Sequence, residues 1–220
     1  MMKIFLVLLV ISLTSLSSAL IAAEPERVIF SENFSGNTSP VVKTENGRSY
    51  MSGCKFDMNS AFIGSKQWGD IEFRFSIRFP KQLPKHYEVS TKIGGWREKT
   101  NYSAYSVTFT DDGLSLYAQG LEKGFQDTKK IFKFKDSGFE GFKPDVWYRF
   151  VIRCEKDRLK LSVGREESKI MQICDAEVFP GGGGASIFSN DRPQKVNENP
   201  FDIANVMVVE LSPAPKTQAK

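Results

Sequence analysis

The chain has 220 residues, 40% of them hydrophobic and 25% charged, with a formal net charge of +4. That length suffices for one sizeable core and leaves little for a second domain. Basic and acidic residues alternate along the chain, so no footprint for nucleic acid stands out and no partner of that class is expected.

Residues 1–23 read as a secretory signal peptide. A Lys precedes the stretch Ile4–Leu13, which is nearly free of polar groups, and small residues follow before Glu24. The apolar run is shorter than the about 20 residues a membrane span needs. Cleavage after Ala19 or Ala23 fits the small-residue rule, with Ala23 preferred; an uncleaved anchor is the other reading. The expected address is secreted or periplasmic, with no transmembrane segment after cleavage. Residues 24–212 then form one domain, and 213–220, "PAPKTQAK", a fraying tail.

From Arg27 onward, period-two alternation dominates. Candidate strands fall at 27–34, 57–64, 86–93 and 184–189. The clearest case is "GDIEFRFSIRFP" over 69–80. Ile71, Phe73, Phe75, Ile77 and Phe79 share one face, while Asp70, Glu72, Arg74, Ser76 and Arg78 share the other. "YSVTFT" alternates at Tyr105, Val107 and Phe109, and "GLSLYA" follows the turn Asp111-Asp112-Gly113. "KKIFKFK" sets Phe132 and Phe134 between lysines. "WYRFVIRC", "DRLKLSVG" and "SKIMQIC" read as a three-strand meander, and "FDIANVMVVEL" is the last strong run. Helical spacing is almost absent. About twelve short strands exceed one open sheet, so they split into two packed sheets or close into a barrel. Eighteen Phe supply the filling. The fold class is all-β: a two-sheet antiparallel β-sandwich.

Cys54, Cys154 and Cys174 allow at most one disulfide. Cys154 and Cys174 end the outer strands of the expected meander, about 10 Å apart at twice the strand spacing. A bridge needs Cα atoms within about 7 Å, which argues against that pair. Three sequons begin at Asn33, Asn37 and Asn101.

Several residues attract functional attention. Trp96-Arg97 follows the corner Gly94-Gly95. There the ring serves either as a platform for the C–H face of a sugar, with Arg97 on a hydroxyl or acid group, or as a cap on the core. Tyr102 and Tyr117 join Trp96 in one expected groove, together with Glu72, Arg74 and Arg78 of the alternating strand. The ligand of such a groove is an extended polysaccharide or glycan. The alternative is a solvated outer face of Arg and Glu pairs. His86, the sole histidine, is either a base near neutral pH or a loop residue. Trp147 reads as structural. No P-loop, dinucleotide fingerprint, His/Cys metal spacing or nucleophile elbow occurs.

The order of these segments resembles the concanavalin A-like jelly rolls, the group of laminin-G-like domains, polysaccharide lyases and glucanases. "FEGFKPDVWYRFVIRCEKDRLKLSVGREE" carries most of that likeness. The resemblance implies a jelly-roll sandwich with either carbohydrate recognition without catalysis, polysaccharide lyase or glycoside-processing chemistry, or a laminin-G-like structural or protein-interaction role. Lys92-Ile93-Gly94-Gly95 and Asp112-Gly113-Leu114-Ser115-Leu116-Tyr117 match alginate-lyase-type segments by residue type. Lys92, Tyr117 and His86 are then the residues to test for catalysis. "AYSVTF" lacks the Arg of that pattern, and Gln119 stands where a second Tyr falls. The glucanase pattern finds only Asp70-Ile71-Glu72. Jelly rolls of this kind also imply a structural calcium tying the first and last strands, for which Glu32 and Asp202 are suitably placed.

Overall fold

A computed structural model describes residues 26–33, 42–52, 68–79, 89–98, 101–110, 112–120, 129–177, 184–189 and 201–212. The expected signal peptide, tail, strand at 57–64, His86 and Cys54 lie outside these residues. For Lys92, Trp96, Arg97 and Tyr102 only the backbone is described.

The described residues form thirteen strands and one short helix. β1 (Arg27–Glu32) precedes the hairpin β2 (Val42–Glu45) and β3 (Arg48–Ser52). β4 (Asp70–Arg78) is the strongly alternating segment. β5 (Val89–Glu98), β6 (Asn101–Phe109), β7 (Gly113–Gly120) and β8 (Lys129–Lys133) follow in order. Next come α1 (Phe134–Ser137), β9 (Trp147–Glu155), β10 (Arg158–Arg165) and β11 (Met171–Glu177). β12 (Gly184–Ser189) and β13 (Asp202–Ser212) complete the chain.

Two antiparallel sheets result. The larger runs β11-β10-β9-β4-β13-β3-β2, with β1 also on β13, and the smaller runs β12-β5-β6-β7-β8. β4 sits at the middle of the larger sheet because both its neighbours pair along most of its length: Phe75 faces Phe150 on β9, and Phe73 faces Val208 on β13. The expected two-sheet sandwich is thus the observed architecture.

Phenylalanine joins the layers. Phe75 stacks on Phe150 at 5.0 Å, and Phe150 meets Phe109 of the smaller sheet edge-on at 4.9 Å. Phe73, Phe75, Ile77, Val107 and Phe109 are all buried. Burying each such side chain stabilises the fold by about 1.5–3 kcal/mol. A second cluster, Phe134, Phe139, Phe142 and Tyr148, meets in edge-on contacts. Tyr148 keeps its hydroxyl satisfied by accepting from the Lys143 N–H at 2.8 Å.

Two local expectations need correction. The alternation in "KKIFKFK" stops at Lys133, where Phe134 starts a helical turn that Gly138 ends at φ 76°. Phe134 is still buried, but by the turn rather than by strand geometry. In β11 the expected inward pair is Met171 and Ile173. A bulge between Gln172 and Cys174 instead buries Ile173, Cys174 and Ala176.

Cys154 and Cys174 are free and buried. They stand opposite Leu159 and Leu161 on the two flanks of β10, as the meander predicts.

Candidate functional site: a groove under the β2–β3 hairpin

The polar face of β4 points away from the phenylalanine core, and it is occupied by the protein's own charges. Asp70 accepts from the Lys156 N–H at 2.8 Å. Glu72, almost fully buried, accepts from Arg74 Nε at 2.5 Å and lies 3.6 Å from Arg153. Arg74 also grips Glu26 with both terminal nitrogens, at 2.8 and 2.6 Å. These bonds hold the Glu26 carboxyl below its ordinary range and the Arg74 guanidinium above its own. Ser76 donates to Glu166 at 2.5 Å. The face is therefore a ladder of ion pairs, the arrangement set against a groove in the sequence reading.

The end of that ladder differs. Asn46 and Gly47 take φ values of 50° and 77°. Two consecutive left-handed residues are what a tight two-residue hairpin turn requires. β3 pairs with β13 only through Ser52–Asp202 and Met51–Ile203. Beyond them Tyr50 and Arg48 reach across the outer face to Trp147 on β9. The Tyr50 and Trp147 rings meet edge-on at 5.7 Å, and the Arg48 guanidinium lies 4.8 Å from the Trp147 centroid. Three strand spacings, about 14 Å, separate β3 from β9 within the sheet, so these contacts pass over β13 and β4. Glu166 receives Arg48 at 2.6 Å while also accepting from Ser76.

Arg78 is the hub. Its guanidinium lies 4.8 Å from the Tyr50 ring and 5.0 Å from Trp147. It donates to Asp202 at 2.9 and 3.1 Å and to Glu45 at 2.7 Å, with Asp145 3.7 Å away. Burial works against its charge, but the bonds to Glu45 and Asp202 outweigh it and raise its pKa above the ordinary guanidinium range.

Around this hub opens a groove of about 760 Å³. The hairpin supplies Glu45, Asn46, Arg48, Ser49 and Tyr50; the ends of β1, β4 and β9 supply Asn33, Arg78 and Trp147; β13 supplies Asn205, and the turn before β9 supplies Asp145. Asn46, Asp145 and Asn205 all have positive φ, near 50–57°. Asn and Asp tolerate that region best among residues with a Cβ. The turn explains Asn46, and a bulge between Ala204 and Met207 explains Asn205. Each therefore presents its amide or carboxylate at a bend, where the strand ladder leaves polar groups open.

The remaining predicted residues stand elsewhere. Glu72, Arg74 and Arg78 belong to the larger sheet. Lys92, Trp96 and Arg97 belong to β5, Tyr102 to β6 and Tyr117 to β7, all in the smaller sheet. The expected union of β4 charges with Trp96, Tyr102 and Tyr117 in one groove needs correction: alternation tells which residues share a face, not which sheet the strand joins. Within the smaller sheet, Lys92 and Tyr117 both stand opposite Ser106, in one cross-strand row. Arg97 is opposite Tyr102, and Trp96 opposite Ser103.

The two residues expected to hold calcium stand level with separate positions along β13. Glu32 stands opposite Val206 and Asp202 opposite Ser52, four residues apart on β13. Their backbone positions are thus roughly 13 Å apart along the strand. Asp202 is also committed to Arg78. Among the described residues, no group of three or more His, Cys, Asp or Glu forms a metal cluster.

Comparison with known proteins adds likeness of shape only. No protein-family model matches the chain, and no curated protein matches it. Among solved structures, the chain resembles a GH43 protein of Bacillus licheniformis at 10% identity and a TM-score of 0.40, over 64% of this chain and 28% of that one. It resembles the receptor binding domain of botulinum neurotoxin D at 15% identity and a TM-score of 0.45, over 84% and 50%. A carbohydrate-binding module, CBM2 of the evolved Dit of Lactobacillus casei BL23 phage J-1, aligns at 12% identity and a TM-score of 0.44, over 85% and 97%. The sandwich is established by the strand pairing itself, and likenesses this distant carry no ligand across.

Sequence reasoning missed the hairpin, and with it Arg48, Ser49 and Tyr50. The signal was present: Asn46-Gly47 between "VKTE" and "RSYMS" is a strong two-residue hairpin mark.

Proposed function

We propose that this protein is an exported, non-catalytic glycan-recognition domain that binds its ligand in the groove beneath the β2–β3 hairpin. One observation carries the reading: a concave site at the end of a rigid sheet where aromatic rings meet four planar or hydroxyl hydrogen-bonding side chains, Asn33, Asn46, Ser49 and Asn205. Sugars offer hydroxyls that both donate and accept, and amides answer both needs. The guanidinium groups of Arg48 and Arg78 cover Trp147, so binding depends on hydrogen bonds more than on ring stacking. A binding role fits the carboxylates too. Glycosidic acid–base chemistry needs a carboxyl pair free to exchange protons, whereas Glu45, Asp145 and Asp202 all share Arg78. The leader over residues 1–23 supports export to a secreted or periplasmic location.

The test is a glycan array probed with the mature chain, followed by titration of the hits against Asp145→Asn and Ser49→Ala. Binding that falls about tenfold in each, the worth of one good hydrogen bond, supports the groove. Retention unchanged in both variants places the ligand elsewhere, and silence across the array rejects the function.

A polysaccharide lyase is the second reading, favoured by the row that sets Lys92 and Tyr117 on either side of Ser106. New absorbance from unsaturated uronate ends, lost in Tyr117→Phe, would select it.

A further inference from the structure

The groove has a sign, and the sign restricts its ligand. Four charged side chains line it: Glu45, Arg48, Arg78 and Asp145. They are not equally presented. The Glu45 and Asp145 side chains are 51% and 61% exposed, while Arg78 is 14% and Arg48 31% exposed. The carboxylates form the rim and the guanidiniums lie beneath. Both cations are also engaged from below, Arg78 by Asp202 at 2.9 Å and Arg48 by Glu166 at 2.6 Å. Counting these two carboxylates, four negative groups surround two positive ones, although the whole chain carries +4.

We propose that the site selects neutral, hydroxyl-rich glycans and rejects uronate-bearing or sulfated ones. This rests on the glycan reading of the groove. A ligand carboxylate or sulfate would meet Glu45 and Asp145 first. To reach Arg78 it must displace Glu45 or Asp202. Asp202, only 17% exposed, would then lose its cation. An unpaired carboxylate in such a place is costly. A neutral hydroxyl has no such conflict. It donates to the rim carboxylates, accepts from the side-chain amides of Asn46 or Asn205, and leaves every ion pair intact. The rim thus acts as a filter by repulsion, one of the two ways a site excludes a near relative of its ligand.

The experiment titrates the mature chain with matched oligosaccharides: neutral xylo-, gluco- and manno-oligomers against oligogalacturonate, oligoalginate and a sulfated glucan fragment. Expected is binding of at least one neutral series, with every acidic series at least about tenfold weaker. The Glu45→Gln/Asp145→Asn double variant should narrow that gap from both sides: neutral binding falls, as in Asp145→Asn alone, and acidic binding rises, which loss of a hydrogen bond by itself would not produce. Should the variant fail to fold, the native protein supplies a second readout. Neutral binding is expected to stay constant between about 0.05 and 0.5 M salt, because no charge is neutralised. Acidic ligands binding as tightly as neutral ones, or binding that weakens steeply with salt, overturns the charge filter and leaves glycan recognition standing. Failure of every oligosaccharide to bind overturns both.

Discussion

Arg78 and Trp147 are direct partners in the β4–β9 ladder, and the guanidinium of the one stacks 5.0 Å over the ring of the other. The contact closes the larger sheet's polar face at one end. It also turns a solvent-facing cation into a half-buried hub with aromatic neighbours and three carboxylates. A cation over an indole contributes about 0.5–2 kcal/mol depending on its exposure. The hub therefore ties the hairpin to the sheet through several modest bonds.

Arg78→Met should lower the unfolding free energy by about 1–3 kcal/mol, discounted for the exposed Glu45 arm. Adding Asp202→Asn should restore part of it, because the neutral amide no longer needs a cation. Urea denaturation of the single and double variants measures both. An additive double variant would mean that the two residues are not coupled.

The two buried thiols set an alkaline limit. Burial, with the negative charge of Asp70 nearby, pushes the Cys154 thiol up to about 12. Burial, followed by Asp175, pushes the Cys174 thiol up to about 12 as well. An unfolded thiol ionises near 8.5. The folded state thus favours the neutral form. Its stability is fully present below about 8.5 and is lost as pH rises from there toward about 12. Melting temperature should fall over that window, and less steeply in Cys154→Ala. A thiol-specific reagent at neutral pH should label neither residue until the chain unfolds.

Two glycines should respond to alanine for different reasons. A Cβ on Gly113 would meet the Phe132 carbonyl oxygen at 2.2 Å, on the neighbouring strand. Gly113→Ala must shift the β7–β8 ladder and should cost about 1–3 kcal/mol. At Gly47 nothing lies within 4 Å, but φ is +77°. Gly47→Ala should cost only the left-handed penalty, about 1 kcal/mol. Thermal melts of both variants would separate clash from backbone preference.

A chelator should leave the melting temperature of the mature protein unchanged, since Glu32 and Asp202 lie apart and Asp202 is bound by Arg78. A fall reversed by added calcium would reveal a site formed by other ligands.

Much of this protein is legible residue by residue. Alternation over 71–79 names the core face correctly, down to the buried Phe73, Phe75 and Ile77. Period two belongs to the single strand and needs no partner to be read. The same logic fails at Phe134, where alternation continues in the letters but Gly138 closes a helical turn. It also leaves the charged face of β4 undecided, because Arg74 and Arg78 look alike in sequence. One grips Glu26 on the open sheet, and the other sits under Tyr50 beside Trp147.

The amino-acid order alone determined an all-β chain with a phenylalanine interior and two thiols too far apart to join, since strand period, side-chain volume and strand spacing are local quantities. Which strands became neighbours, and so which charges met, was decided only by the tertiary structure. Arg78, Glu45, Asp145 and Asp202 come from four separate stretches of the chain, and pairing across such distances is set by how whole sheets bury their apolar faces. The candidate site exists because that burial folds a hairpin back over the polar side of the sheet.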